Sequence, residues 1–190
     1  DEEYSYWIDS LEGEVPSDLR GTFFRNGPGR QKIGGNPYGH WFDGDGMLFA
    51  FSFIDGKVHF KNSYVRTPKY LEETQTQKIL YRGFGTQIPG ALRANFLKIP
   101  ANTANTSIIH HGGKLLALNE GGRPWAIDPG TLETLGEFDY DGMLTKANVF
   151  SAHGKVHQRT GDLINFGAGI SGFGWRGPKP CINVCRINPQ

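Results

Sequence analysis

Neutral imidazole is the commonest protein ligand for a transition metal, and the stretch FSAHGKVHQRTGDLINFG (150–167) carries two of them, His153 and His157. On a helix this spacing of four would put both on one ion. In extended chain it spans about 13 Å, whereas two nitrogens on one metal lie about 3 Å apart when each bond is about 2.1 Å. Strand geometry therefore allows at most one of the pair in a given site. His157 directly precedes the Arg159-Thr160-Gly161 turn and reads as solvated. His153 follows the run VFSA and precedes Gly154, which places it at a strand end, either as a metal ligand or as an ordinary strand-end residue.

Glu120 follows the apolar run of LLALNEGG, where an unpaired carboxylate is costly. It is either turned to solvent by local twist or held by a partner, and an imidazole N–H is a fitting one. Asp43 and Asp45 alternate in HWFDGDGM, but the stretch lacks the third acidic position and the closing glutamate of an EF-hand, and it reads as a glycine-loosened turn. NGPG (26–29) reads as a turn with a stiff proline, and the glycines of GISGFG are in the wrong order for a dinucleotide loop. No nucleophile elbow, HExxH or Walker-type loop is present, which leaves hydrolase chemistry without footing.

The elements that must position these residues are strands. Short runs rich in β-branched and aromatic residues alternate with Gly, Asn, Asp and Pro clusters, and helical periodicity is nearly absent. GMLFAFSFIDGKVHFKNSYVRT reads as a hairpin about Asp55-Gly56, TSIIHHGGKLLALNEGG as one with His111-Gly112-Gly113 at its tip, and PWAIDPGTLETLGEFDY as one about Asp128-Pro129-Gly130. The cadence favours an all-β propeller or sandwich. Lys69–Ile99 breaks the rhythm as a short helix or a long loop, and its IPGALRANFLKIP portion (Ile88, Leu92, Phe96, Leu97 beside Arg93 and Lys98) reads as a surface loop or as a segment that dips into lipid. After the strand of INVCRINPQ nothing closes the sheet, so the chain reads as the amino-terminal part of a larger protein.

Length and composition set outer bounds. At 190 residues the chain is long enough to bury roughly 70% of its unfolded surface as one domain. Twenty basic residues against 19 acidic ones produce no field that would select nucleic acid. No run of eighteen apolar residues occurs, and DEEYSYWIDS is unlike a signal peptide, so a cytoplasmic protein with peripheral membrane contact is expected. Cys181 and Cys185 fall on one face of a strand about 13 Å apart, too far for a disulfide, and read as buried reduced thiols.

Taken together, GTFFRNGPG, HWFDGDGMLFAFSF, YVRT, ANTSIIHHGGKLLALNEGG, IDPGTLETLGEFDYDGML, FSAHGKVHQRTGDLINFG and INVCRINP come in the order and at the intervals of the carotenoid cleavage oxygenases, and the chain resembles the bacterial apocarotenoid branch of that family over nearly all its length. The resemblance implies a seven-bladed β-propeller, of which residues 1–190 are the amino-terminal part of a single domain. It implies one non-haem Fe(II) held by four histidines, with O2 as co-substrate in cleaving a carbon–carbon double bond of a polyene or stilbene. His153 matches the first iron ligand, in the family's SAHP motif, and Glu120 matches a glutamate that orients a ligand histidine from outside the coordination sphere. The glutamate's usual partner, and the other three ligands, are expected beyond residue 190, because His40, His59, His110 and His111 match none of them. Gly154 stands where the family has proline, which is expected to loosen the backbone, and His157 replaces an acidic residue. Two rivals remain at this level: a non-catalytic propeller fragment or binding module for a hydrophobic ligand, and a calcium-dependent propeller hydrolase or lactonase, to which only FDGDG points.

Overall fold

The computed structural model describes residues 2–90, 92–145, 149–175 and 177–189, with the Leu92 side chain also outside the described set. The hairpin sequences build three successive antiparallel sheets. The first orders β1 (Ser5–Trp7), β2 (Gly21–Arg30), β5 (Asp45–Ile54) and β6 (Lys57–Tyr64) as β1-β6-β5-β2, with a small ladder of β3 (Lys32–Ile33) and β4 (Asn36–Pro37) beside it. The second is a meander, β10-β9-β8-β7, of β7 (Ser107–His111), β8 (Lys114–Leu118), β9 (Trp125–Ile127) and β10 (Thr134–Glu137). The third orders β11 (Lys155–Val156), β12 (Leu163–Gly174) and β13 (Gly177–Ile187) as β11-β12-β13.

Two of the expected turns sit where the two-residue hairpin rule puts them, whereas Asp128-Pro129-Gly130 lies in a longer connection between Ile127 and its partner Thr134. Asp55 (φ 49°) and Gly56 (φ 74°) join Ile54 to its partner Lys57, the positive angles that an Asp-Gly turn supplies. The His-Gly-Gly tip differs in one detail, since His111 is still paired with Lys114 and the turn proper is Gly112-Gly113. NGPG is not a turn. It lies inside β2, with Asn26 opposite Leu48 and Pro28 opposite Gly46, and a register shift follows before Arg30. A strand tolerates this proline because β2 is the edge of its sheet, where a missing N–H breaks no ladder bond.

Strand β8 explains how the sheets stack. Leu115 and Ala117 join Leu48, Ala50, Val65 and Ile127 in a cluster between the first and second sheets. Leu116 and Leu118 point the other way, to Phe150, Ala152 and Leu163 between the second and third. The second sheet is thus apolar on both faces, and strict alternation gives way to a continuous apolar run. On β12 and β13 only one face is covered: Leu163 and Asn165 are buried, whereas Phe166, Ile182 and Val184 on the other face are exposed. Cys181 and Cys185 are free and half-buried rather than fully buried.

The Lys69–Ile99 region contains both alternatives, a helix and a loop. Helix α1 (Pro68–Thr76) starts at Thr67, whose hydroxyl accepts from the Tyr70 N–H, and ends at left-handed Gln77. Its inward side is charged. Lys69 Nζ lies 3.0 Å from Asp45 Oδ1 and 3.2 Å from Glu73 Oε2, Arg30 Nε donates to Asp45 Oδ2 at 2.7 Å, and the Tyr38 hydroxyl donates to Glu73 at 2.7 Å. Glu73 Oε1 also accepts the N–H groups of Leu80 and Tyr81. Burial, followed by the nearby Asp45 carboxylate, holds the Tyr38 phenol far above its usual range.

Candidate metal centre

His153 is placed by the residues before it. The Val149 N–H bonds Ala168 O at 2.9 Å along β12, and Phe150 and Ala152 are buried in the second core cluster. The chain then turns at Ala152 and His153 before β11, so the imidazole belongs to a turn and not to a strand end. Its side chain is 66% exposed, with Nε2 3.1 Å from Glu120 Oε1.

Glu120 is in the turn after β8, and its side chain is 49% exposed, so it is both solvent-facing and held. Asn119 Oδ1 accepts the Gly121 N–H at 2.7 Å and shapes that turn, while the Phe150 N–H bonds Gly122 O at 3.2 Å and draws the two turns together. Among the described residues the imidazole beside this carboxylate is that of His153. The later histidine expected as its usual partner lies outside residues 1–190, and within them the His153 turn packs directly on the Glu120 turn. At Gly154 the Asn165 side chain approaches closely: a Cβ there would stand 2.6 Å from Asn165 Nδ2.

The pair lines a cavity of about 530 Å³ shared with Pro28, Trp41, Phe42, Phe84, Pro100, Thr106 and Asn119. Trp41 stacks on Phe42 with centroids 5.5 Å apart, and Phe84 lies 6.1 Å from Phe42. The sequence offered no signal for this aromatic wall, because it depends on Asp43. The buried Asp43 carboxylate accepts the N–H groups of Phe84, Gly85 and Thr86 and the Thr86 hydroxyl, which fixes the loop that presents Phe84. Asp45 is engaged by Arg30 and Lys69. Both carboxylates of FDGDG are thus fully used inside the fold, which removes the basis of the calcium reading.

The remaining histidines serve locally. His157 Nδ1 lies 3.1 Å from the Thr160 hydroxyl and the residue is exposed, as its place before the turn predicts. His40 Nδ1 accepts the Phe42 N–H, His111 Nε2 bonds Gly161 O, His59 meets Ser5, and His110 is an exposed residue of β7. Among the described residues no three His, Cys, Asp or Glu side chains converge on a metal position. What is present fits one position of a mononuclear centre built from several imidazoles: His153 Nε2 lies 3.1 Å from a carboxylate oxygen, and Nδ1 has no partner among the described residues.

Of the loop expected to meet lipid, Phe96 and Leu97 are 71% and 83% exposed, joined by Ile99. Ile88 is half-buried, with its backbone N–H and C=O both bonded by the Asn95 side chain, and the Leu92 side chain lies outside the described residues. Among the described residues no helix is long and apolar enough to cross a membrane.

Comparison with known proteins gives concordant matches. The family model described as retinal pigment epithelial membrane protein matches residues 1–190. Apocarotenoid-15,15'-oxygenase of Synechocystis is 46% identical over 158 residues, which is 82% of this chain and 32% of that protein. Isoeugenol monooxygenase of Pseudomonas nitroreducens is 40% identical over 85% of this chain and 33% of its own length. Resveratrol cleavage oxygenase 1 of Aspergillus fumigatus is 36% identical over 96% of this chain and 35% of its own length. The crystal structure of cobalt-substituted Synechocystis ACO superposes with a TM-score of 0.88 at 38% identity, covering 100% of this chain and 40% of that one. The chain therefore spans about a third of the length of the curated relatives it matches.

Proposed function

The chain belongs to the retinal pigment epithelial membrane protein family, the carotenoid cleavage oxygenases, and from that premise we propose that it is part of a non-haem Fe(II)-dependent dioxygenase. The reaction is cleavage of a carbon–carbon double bond of an apocarotenoid, a carotenoid or a related conjugated alkene such as a stilbene, with O2, to give two carbonyl products. The relatives named as an apocarotenoid-15,15'-oxygenase and a resveratrol cleavage oxygenase support that substrate range. The observation that carries the reading is the Glu120–His153 pair facing an aromatic-walled cavity.

In this reading His153 contributes one imidazole, and the three further histidines belong to the part of the relatives' length that the chain does not span. Iron held by neutral imidazoles supplies open positions at which O2 can react. Glu120 Oε1 lies 3.1 Å from His153 Nε2, and in this reading the carboxylate orients the ring from outside the coordination sphere. Trp41, Phe42 and Phe84 give a flat apolar surface that orients a conjugated chain and excludes water. Residues 1–190 are the first blades of a seven-bladed propeller. The stacking of three successive sheets supports this, as does the exposed apolar face of β12 and β13, which a further sheet would cover. Peripheral lipid contact is assigned to Phe96 and Leu97 of the loop that also carries Ile88 and Leu92, on their exposure.

The test is incubation of the intact iron-loaded protein with an apocarotenal and with a stilbene under O2. Two carbonyl fragments per alkene support the proposal. An isomerised but uncleaved product, or a metal-free protein that binds the alkene unchanged, contradicts it.

A further inference from the structure

We propose that Ser107, Ser151 and Asn165 are positioning residues that lock the turn carrying His153, so that its imidazole meets a metal without first being ordered. The inference rests on the reading of His153 as a ligand. Its starting point is an imbalance: the His153 side chain is 66% exposed, so packing does not hold the ring, yet the residues just before it are almost fully buried. Whatever fixes the ring must act through the backbone and through Glu120.

Ser151 does both. It is 1% exposed, and its hydroxyl accepts the His153 N–H at 3.1 Å while lying 3.4 Å from Glu120 Oε1, to which it donates. One hydroxyl thus ties the backbone of the proposed ligand to the carboxylate that holds its ring. The next peptide reinforces the link, because the Ala152 N–H donates to the same Glu120 oxygen at 3.1 Å. Ser107, at the start of β7 in the second sheet, donates its hydroxyl to Ala152 O at 2.5 Å. Asn165, buried in β12 of the third sheet, donates Nδ2 to Ser151 O at 2.8 Å, and the Ser151 N–H bonds Phe166 O at 2.9 Å. Side chains from two sheets therefore clamp one turn from both sides.

None of the three side chains points its polar group at the ring, so their effect on a metal is indirect. A solvent-facing imidazole on an unclamped turn would lose rotamer and backbone freedom on binding, and that loss would be subtracted from the affinity. A turn already fixed within its neighbours avoids it. Polar groups that orient metal ligands from outside typically change metal affinity by about 10–100-fold when removed.

The experiment measures ferrous affinity of the intact protein by competition with a chelator, together with the unfolding midpoint, for Ser107→Ala, Ser151→Ala, Ser151→Thr and His153→Ala. Loss of iron in His153→Ala, affinity weakened about tenfold in both serine-to-alanine variants, and recovery in Ser151→Thr, which keeps the hydroxyl, are the expected results. Ser107 is only half-buried, so Ser107→Ala carries the test if Ser151→Ala fails to fold. Folded serine variants that bind iron as the parent does, while His153→Ala does not, overturn the clamp alone. Iron retained by His153→Ala overturns the ligand reading and the clamp with it.

Discussion

Two ionic clusters stand in this chain, and they are built on opposite plans. Around helix α1, Asp45, Lys69 and Glu73 have side chains at most 2% exposed, and every carboxylate oxygen among them has a donor. At the cavity, the Glu120 and His153 side chains are 49% and 66% exposed, and one imidazole nitrogen has no partner among the described residues. A buried, balanced network contributes to specifying a unique arrangement and has nothing left to give a ligand. An exposed pair with spare capacity contributes little to stability and is available for chemistry.

That contrast can be broken first at its strongest point. Asp45→Ala leaves Arg30 and Lys69 buried without their carboxylate, and a loss of about 3–5 kcal/mol in denaturant unfolding is expected. A loss under 1 kcal/mol would place the network among ordinary surface ion pairs. At the other cluster the pattern reverses: Glu120→Gln should weaken ferrous binding of the intact protein about 10–100-fold in a chelator competition, while the unfolding midpoint stays close to the parent's. Equal falls in both would make Glu120 a structural residue.

Asp162 is the intermediate case. Its side chain is 6% exposed while its partner Arg186 is 66% exposed. The Thr160 hydroxyl first, and then the Arg186 guanidinium, hold its carboxyl below the usual range. A lowered folded value means the stabilisation is complete above the unfolded carboxylate value of about 3.9 and is lost as pH falls through the folded one. Acid unfolding followed below about pH 4 should therefore be less steep in Asp162→Asn, and identical acid limbs would contradict the assignment. The smallest effect is expected on the uncovered face: Val184→Ala, at a residue 73% exposed, should change the stability of the 190-residue chain by no more than about 0.5 kcal/mol. The same change costing over 1 kcal/mol in a protein extended past Gln190 would show that a further sheet covers that face.

The sequence revealed these two clusters unequally. Asp55-Gly56 and Gly112-Gly113 are local signals, so the hairpins were readable, and their cadence pointed to a propeller or sandwich, while the two-sided burial of β8 appears only in the structure. His153 and Glu120 were readable as a histidine and a carboxylate beside apolar strands, with the family resemblance supplying their roles. Their mutual contact was not, since it depends on two turns meeting across sheets. The charged network was invisible because its members are scattered, with Arg30 and Lys69 respectively 15 and 24 residues from Asp45, and charges in a helix read as a solvated face. Asp43 was misleading for a related reason: a carboxylate in a glycine-rich stretch looks like a cation ligand, yet its donors are the backbone amides of a loop about forty residues on.

The central claim is that the imidazole of His153 belongs to a metal and not to the fold. Iron stoichiometry of the intact protein tests it most directly, measured beside circular dichroism for the parent and for His153→Ala. The account predicts one ferrous ion per chain in the parent, little or none in the variant, and superimposable spectra. An undiminished iron content in a folded His153→Ala protein would contradict it.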